Sequence, residues 1–281
     1  MHAIPATPAP PSLKVVLDPK TALSTRPKPP LGRARERPHL GAMKITLLEA
    51  GRAPGPLQER YPRYPEMFAA LLSGIDETLT FETVALVDGV LPPDPTRCEA
   101  ALITGSPAGV YDVTPWMAPL SDFVRAASEE KTPLIGVCFG HQIIADALGG
   151  EVRKSPKGWG VGRHTYDILA REPWMAHAGP TFSLGASHQD QVITPPKSAR
   201  TLARSTHTDH AMLVYDHAPI ISLQGHPEFT DGFLAALYGA RRGKTLSDDL
   251  ADQAIESLRV PDDNALVGDW MVRFLKSIRG E

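Results

Sequence analysis

Apolar side chains in this chain recur with two different periods. Residues 44–49 (Lys-Ile-Thr-Leu-Leu-Glu), 82–86, 100–104 and 134–137 are short, dense apolar runs that read as strands. Between them, residues 65–72 place Met67, Phe68, Leu71 and Leu72 on one helical face, and residues 115–130 read as a helix with proline in its first turn. Residues 143–148 continue as a helix-like run that closes on Gly149-Gly150. Alternation of this kind predicts an α/β fold, a mostly parallel sheet covered by helices on both faces. Active sites in that architecture lie at the carboxyl ends of the strands.

From residue 151 the runs shorten. Residues 151–153, 164–169, 181–184, 191–193, 201–204, 211–215 and 220–224 are strand-like pieces broken by Gly, Pro, Asp and His, which suggest a small antiparallel or mixed extension of the same domain. Helical segments over 231–241, 247–258 and 263–278 finish the chain. No internal repeat and no second boundary interrupts residues 43–281, which are expected to form one domain with its core at about 44–242.

Composition separates the N-terminal stretch from the rest. Residues 1–42 hold 9 of the 28 prolines, with 7 Lys or Arg against 2 acidic residues, and read as a disordered extension or an over-extended start. Proline at that density opposes the amphipathic helix of a transit peptide. A net charge of −3 gives no reason to expect nucleic acid or an anionic membrane as a partner, and no uncharged apolar run is long enough to span a bilayer. Cys98 and Cys138 make no disulfide framework. Cys98, just ahead of the apolar run at 100–103, reads as core. A reducing cytoplasm is the expected location.

Cys138 is different. It sits in Gly136-Val137-Cys138-Phe139-Gly140-His141-Gln142, between a strand and a helix, with glycine two residues to either side. A side chain held on so sharp a turn needs those glycines, because a Cβ would clash in the bend. The turn also places the sulfur at a helix N-terminus, where free N–H groups and the helix dipole favour the thiolate that attacks a carbonyl carbon. A cysteine nucleophile needs a base, and the base an orienting group. Among ten histidines the best candidate is His226, which emerges from the apolar strand at 220–224 after Gly225. Glu228 lies two residues on, and in an extended segment i and i+2 project to the same side. Pro227 keeps that segment extended.

Gly-Val-Cys-Phe-Gly-His-Gln at 136–142 with Gly-His-Pro-Glu at 225–228 resembles the class I glutamine amidotransferase family, and most closely its stand-alone members similar to the amidotransferase domain of GMP synthase. The resemblance covers residues 44 to about 242. It implies a flavodoxin-like sheet and a triad of Cys138 as nucleophile, His226 as base and Glu228 as its orienter. It further implies an oxyanion hole from the Gly105 and Phe139 N–H groups, although Ser106 and Pro107 stand where relatives often have glycines. Gln142, Pro107, Gln189 and Asp190 fall at substrate-binding positions, with Gln189 replacing a glycine in Ser187-His188-Gln189-Asp190. His141 and His188 are expected to be structural, and Trp159 of the Gly-Trp motif to serve packing.

On this reading the substrate is L-glutamine or another γ-glutamyl compound, and released ammonia can pass to a separate synthase. Stand-alone members also resemble plant γ-glutamyl peptidases, and a non-enzymatic module on the same fold is a further alternative. No cofactor is implied. His164, His177, His188, His207, His210 and His217 lack a metal-ligand spacing, and no phosphate-binding loop occurs.

Overall fold

The computed structural model describes residues 42–280. The extension expected over residues 1–42 lies, apart from Ala42, outside the described residues. In chain order the elements are β1 (Lys44–Glu49), a short α1 (Gly55–Gln58), α2 (Tyr64–Ser73), β2 (Thr80–Ala85), β3 (Ala100–Ile103), α3 (Met117–Glu130), β4 (Leu134–Val137) and α4 (Phe139–Ala147). There follow β5 (Glu151–Lys154), β6 (Gly160–Ile168), β7 (Thr181–His188), β8 (Asp190–Thr194), β9 (Ala199–Arg204), β10 (Met212–Tyr215) and β11 (Ile220–Leu223). The helices α5 (Asp231–Arg241), α6 (Asp248–Ser257) and α7 (Asn264–Arg279) end the fold.

Nine strands form the central sheet in the order β2-β1-β3-β4-β11-β10-β9-β6-β7. The first five are mutually parallel, and β10, β9, β6 and β7 continue the sheet antiparallel. A separate ribbon pairs β5 with β8. Burial explains the dense apolar runs. Ile45, Leu47, Ala100, Leu102, Ile135 and Val137 face the layer with α2 and α7, against Phe68, Leu72, Trp270 and Phe274. Leu48, Ala101, Ile103, Leu134 and Ile220 face the opposite layer, with Leu120, Val124, Ile143 and Ile144 of α3 and α4. Alternate residues of each strand thus meet a different helical layer, as a sheet buried on both faces requires.

The differences from the sequence-based elements are local. The second strand starts at Thr80, not 82, because Thr80 N donates to Met43 O at 2.9 Å and opens the β1 register. Pro115 lies outside α3, which begins after Trp116, and Leu120 N closes its first turn on Trp116 O at 2.9 Å. The strands expected at 164–169 and 181–184 are longer. They pair from Gly160 with His188 to Asp167 with Thr181, because neighbouring strands satisfy polar residues that read as strand ends. Cys98 is only partly buried, at the rim of the second cluster, and is not core.

Candidate active site

Val137 ends β4, and Cys138 caps α4 with φ 54° and ψ −103°, a conformation that a non-glycine residue rarely adopts. The flanking glycines allow close approach. A Cβ at Gly136 would lie 2.5 Å from Gly140 O, and one at Gly140 would overlap the Ile103 carbonyl of β3. Because that obstacle is backbone, Gly140→Ala is expected to destabilise the fold by about 3 kcal/mol, a melting-temperature loss of roughly 6–12 °C, with displacement of the Cys138 turn. Differential scanning calorimetry reads the shift, and an unchanged melting temperature would contradict this packing.

Phe139, buried and edge-on to Trp116 at 5.6 Å, opens α4. Its N–H is among the first helical donors, which have no intrahelical acceptor, whereas Gln142 N already donates to Cys138 O at 3.1 Å. The loop after β3 comes equally close. A Cβ on Gly105 would sit 3.0 Å from His226 Cε1 and 3.7 Å from Cys138 Cβ. Gly51, after β1, leaves room for this loop, since a Cβ there would lie 2.5 Å from Ser106 Cα.

His226 follows β11. Its backbone N donates to Gly185 O of β7 at 2.9 Å, and its Nδ1 donates to Glu228 Oε1 at 2.7 Å. The ring stacks on Phe229 with centroids 4.0 Å apart and 10° between planes. Burial disfavours a charged imidazolium here, but the neighbouring Glu228 carboxylate and Cys138 sulfur outweigh it. The His226 pKa rises to about 10. Glu228 is itself buried, so the pair is fixed in orientation and shielded from water. Cysteine, histidine and glutamate, nearly a hundred residues apart in the chain at their extremes, thus meet at the carboxyl ends of β4 and β11.

Cys138 forms part of the wall of a cavity of about 500 Å³. Pro107, Gln142, Gln189 and Asp190, the residues at the substrate-binding positions of the resemblance, line it. Gln142 Nε2 donates to Asp190 O at 2.8 Å and to Gln224 Oε1 at 3.2 Å, so this amide braces the cavity floor. The Tyr111 hydroxyl donates to Asp190 Oδ2 at 2.8 Å and ties the loop after β3 to β8. Trp159 does more than pack: it lines the cavity with the Arg241 guanidinium 5.3 Å over its ring. A second recess of about 20 Å³, enough for one water-sized molecule, adjoins Cys138 and His226. Tyr111, Lys154, Arg241 and Lys244 are cavity residues that sequence reasoning missed, because nothing local marks them.

The other histidines have different surroundings. His141 Nδ1 lies 2.7 Å from Ser222 Oγ beneath the turn, and burial lowers its pKa to about 3. His188 Nδ1 lies 2.9 Å from Asp190 O, and burial with the neighbouring His164 holds it well below the usual histidine range. Among the described residues no group of His, Cys, Asp or Glu is arranged to hold a metal ion. No helix among them is long and apolar enough to cross a membrane.

Comparison with known proteins gives a consistent result. The profile of the glutamine amidotransferase class-I family matches residues 89–235. A glutamine amidotransferase-like protein of Schizosaccharomyces pombe is 27% identical over 82% of this chain and 98% of its own length. Gamma-glutamyl peptidase 4 of Arabidopsis thaliana is 30% identical over 63% of this chain and 72% of its own. A glutamine-hydrolysing GMP synthase component of Sulfolobus acidocaldarius is 31% identical over 53% of this chain and 78% of its own. In structure, the chain is similar to a glutamine amidotransferase of Methylobacillus flagellatus, with a TM-score of 0.64, 23% identity and coverage of 84% of this chain and 93% of that one.

Proposed function

The chain belongs to the class-I glutamine amidotransferase family, and from that premise we propose that it hydrolyses a γ-glutamyl amide through a thioester on Cys138. The observation that carries this reading is the buried Glu228–His226 pair, at 2.7 Å, set against a cysteine held in a strained turn on a cavity wall. The Cys138 thiolate attacks the γ-carbonyl, and the C=O electrons move to oxygen. N–H groups of Gly105 and Phe139 stabilise that oxyanion. Collapse breaks the C–N bond, and the amine leaves with the proton from His226. Water, deprotonated by the same imidazole, then attacks the thioester to give the carboxylate and regenerate the thiolate. Gln142, Pro107, Gln189 and Asp190 shape the subsite for the glutamyl head.

With L-glutamine the leaving amine is ammonia, which the small recess beside His226 can hold on its way to a separate synthase. One observation favours a second reading, a γ-glutamyl compound with a larger leaving group: the cavity, about 500 Å³, is lined also by Lys154, Trp159 and Lys244, in addition to the residues given to the glutamyl head. No cofactor takes part in either, and a reducing cytoplasm suits the free thiol. The domain over residues 43–281 is the unit that does this chemistry.

The direct test is to incubate the protein with L-glutamine and with γ-glutamyl dipeptides, measure glutamate release, and locate by mass spectrometry of acid-quenched protein the γ-glutamyl adduct. The adduct is expected on the peptide carrying Cys138. Glutamate release with the adduct elsewhere, or no release from any of these substrates, overturns the proposal. Glu228→Gln is expected to lower kcat by about 10²- to 10⁴-fold. Because Glu228 raises His226, the same change moves the alkaline limb of the kcat/KM profile to lower pH. A limb that stays in place would mean that Glu228 does not set the charge state of His226.

A further inference from the structure

The two hollows beside Cys138 differ in whether they reach the base. His226 lines the small recess and not the large cavity, whereas Cys138 lines both. Glu228 occupies Nδ1 of His226, so Nε2 is the nitrogen left to exchange a proton with a reacting molecule. Tyr64, the first residue of α2, also stands in the wall of the recess. It is buried, and its ring packs against Phe229 at 5.3 Å, which in turn stacks on His226. Phe233 meets the same ring edge-on at 6.2 Å. Yet the Tyr64 hydroxyl has no hydrogen-bond partner among the described residues. The hydroxyl of Tyr238, by contrast, donates to Ala186 O at 2.6 Å and accepts from Gly162 N at 3.0 Å. A buried phenol ordinarily finds a partner, so one left open on a recess beside the base points to a small polar molecule held there.

Volume and chemistry identify that molecule. A recess of about 20 Å³ admits one water and is too small for a glutamyl chain. Hydrolysis of the thioester needs a water within reach of both the carbonyl carbon on the Cys138 sulfur and His226, and the recess is the hollow that these two residues share. A water held by the base alone is free to turn about that one bond, and a second partner fixes its aim. The other hydroxyls of the wall are engaged, since Ser187 Oγ accepts from Arg241 Nη1 at 2.6 Å and Ser106 Oγ from Ala108 N at 3.1 Å. We propose that the recess seats the water that hydrolyses the thioester, and that the Tyr64 hydroxyl is its second anchor. The water oxygen bonds to the carbonyl carbon as one of its protons passes to His226 Nε2, while its other O–H donates to the Tyr64 oxygen. Collapse breaks the C–S bond and returns the electron pair to sulfur, leaving a thiolate, an imidazolium and a carboxyl group that then ionises. Burial pushes the Tyr64 pKa up, so the phenol stays neutral throughout. The inference rests on the thioester at Cys138 proposed above, and Tyr64 acts after that thioester has formed.

Tyr64→Phe removes the hydroxyl and keeps the ring contacts. The test follows how the thioester partitions when hydroxylamine competes with water, because hydroxylamine is nucleophilic enough to attack a thioester without a second anchor. The full-length protein and the variant are each given L-glutamine or a γ-glutamyl dipeptide at one fixed concentration of hydroxylamine. The ratio of γ-glutamyl hydroxamate to glutamate is expected to rise by about 10- to 100-fold in Tyr64→Phe. Acid-quenched Tyr64→Phe, without hydroxylamine, is expected to carry more of the γ-glutamyl adduct on Cys138 than the unaltered protein does. Because both products arise from one intermediate, their ratio depends neither on which step limits turnover nor on how much of the variant is folded. A merely structural role for Tyr64 would lower both products in proportion, and an unchanged ratio overturns the inference while the thioester stands. Products that form without an adduct on Cys138 in either protein, or no product from either, reject the thioester itself and this inference with it.

Discussion

Cys138→Ala is expected to lower glutamate release from any γ-glutamyl substrate by about 10⁴-fold or more, because covalent catalysis ends when the sulfur is removed. Cys98→Ala should change nothing, since Cys98 is half-buried at the rim of another core cluster. Residual activity above about one percent in Cys138→Ala would mean that water attacks directly. The backbone makes a second variant informative. Cys138 sits at φ 54°, where a Cβ costs about 1–2 kcal/mol, and glycine removes that cost. Cys138→Gly should therefore be as inactive as Cys138→Ala, yet melt at or above the temperature of the unaltered protein. A clear drop in its melting temperature would show that the turn holds no strain of this size. On the proposed mechanism, stability is thus set against activity at Cys138.

Acidification is expected to destabilise the fold well before its carboxylates titrate. Burial lowers His141 to about 3, lowers His164 to about 4, and takes His188 well below the usual histidine value. His141 and His164 are neutral in the folded protein at pH 5, while the unfolded chain takes up protons below its ordinary value of about 6.5. The unfolded state then binds more protons, so stability falls as pH drops through 6.5, by up to about 1.4 kcal/mol per pH unit for each histidine. Between pH 6.5 and 5 the combined loss from His141 and His164 is about 3 kcal/mol, a large share of the stability of a marginal domain, and His188 acts in the same direction. His226 acts with the opposite sign. Its pKa is raised to about 10, so its contribution is complete below pH 6.5 and is lost as pH rises toward 10. Denaturant midpoints measured from pH 4.5 to 9.5 should therefore peak near 6.5. A plateau from 6.5 down to 5 would mean that the buried histidines are charged in the folded state.

Features that depend on one short stretch of backbone were legible in the sequence. Gly136, Cys138 and Gly140 announce the turn because two close approaches forbid a side chain there, and His226 with Glu228 needs only two residues in extended conformation. The parallel strands show as apolar runs because both sheet faces are covered. The antiparallel half was harder to delimit. Gly160, Gly162, Ser187 and His188 look like strand ends, but the mutual pairing of β6 and β7 satisfies such residues, so both strands run longer than their apolar cores. The recognition wall was least legible. Tyr111 comes from the loop after β3, Lys154 from β5, Trp159 from the turn before β6 and Arg241 from α5, and only the folded chain brings them together. Arg241 in particular sits where a basic residue ordinarily complements a helix C-terminus, which hides its place in the cavity wall.

The division of the sheet has a practical consequence. The proposed reacting groups Cys138 and His226 follow the parallel strands β4 and β11, whereas much of the cavity wall comes from β5, β7, the β7–β8 corner and the turn before β6. The β5–β8 ribbon pairs only with itself and is not a member of the central sheet. A ribbon that shares no ladder with the central sheet can change without breaking the pairing that carries Cys138 and His226. A transplant of residues 151–160 and 189–194 from a relative should accordingly carry substrate preference with it and leave the rate of Cys138 alkylation by iodoacetamide unchanged.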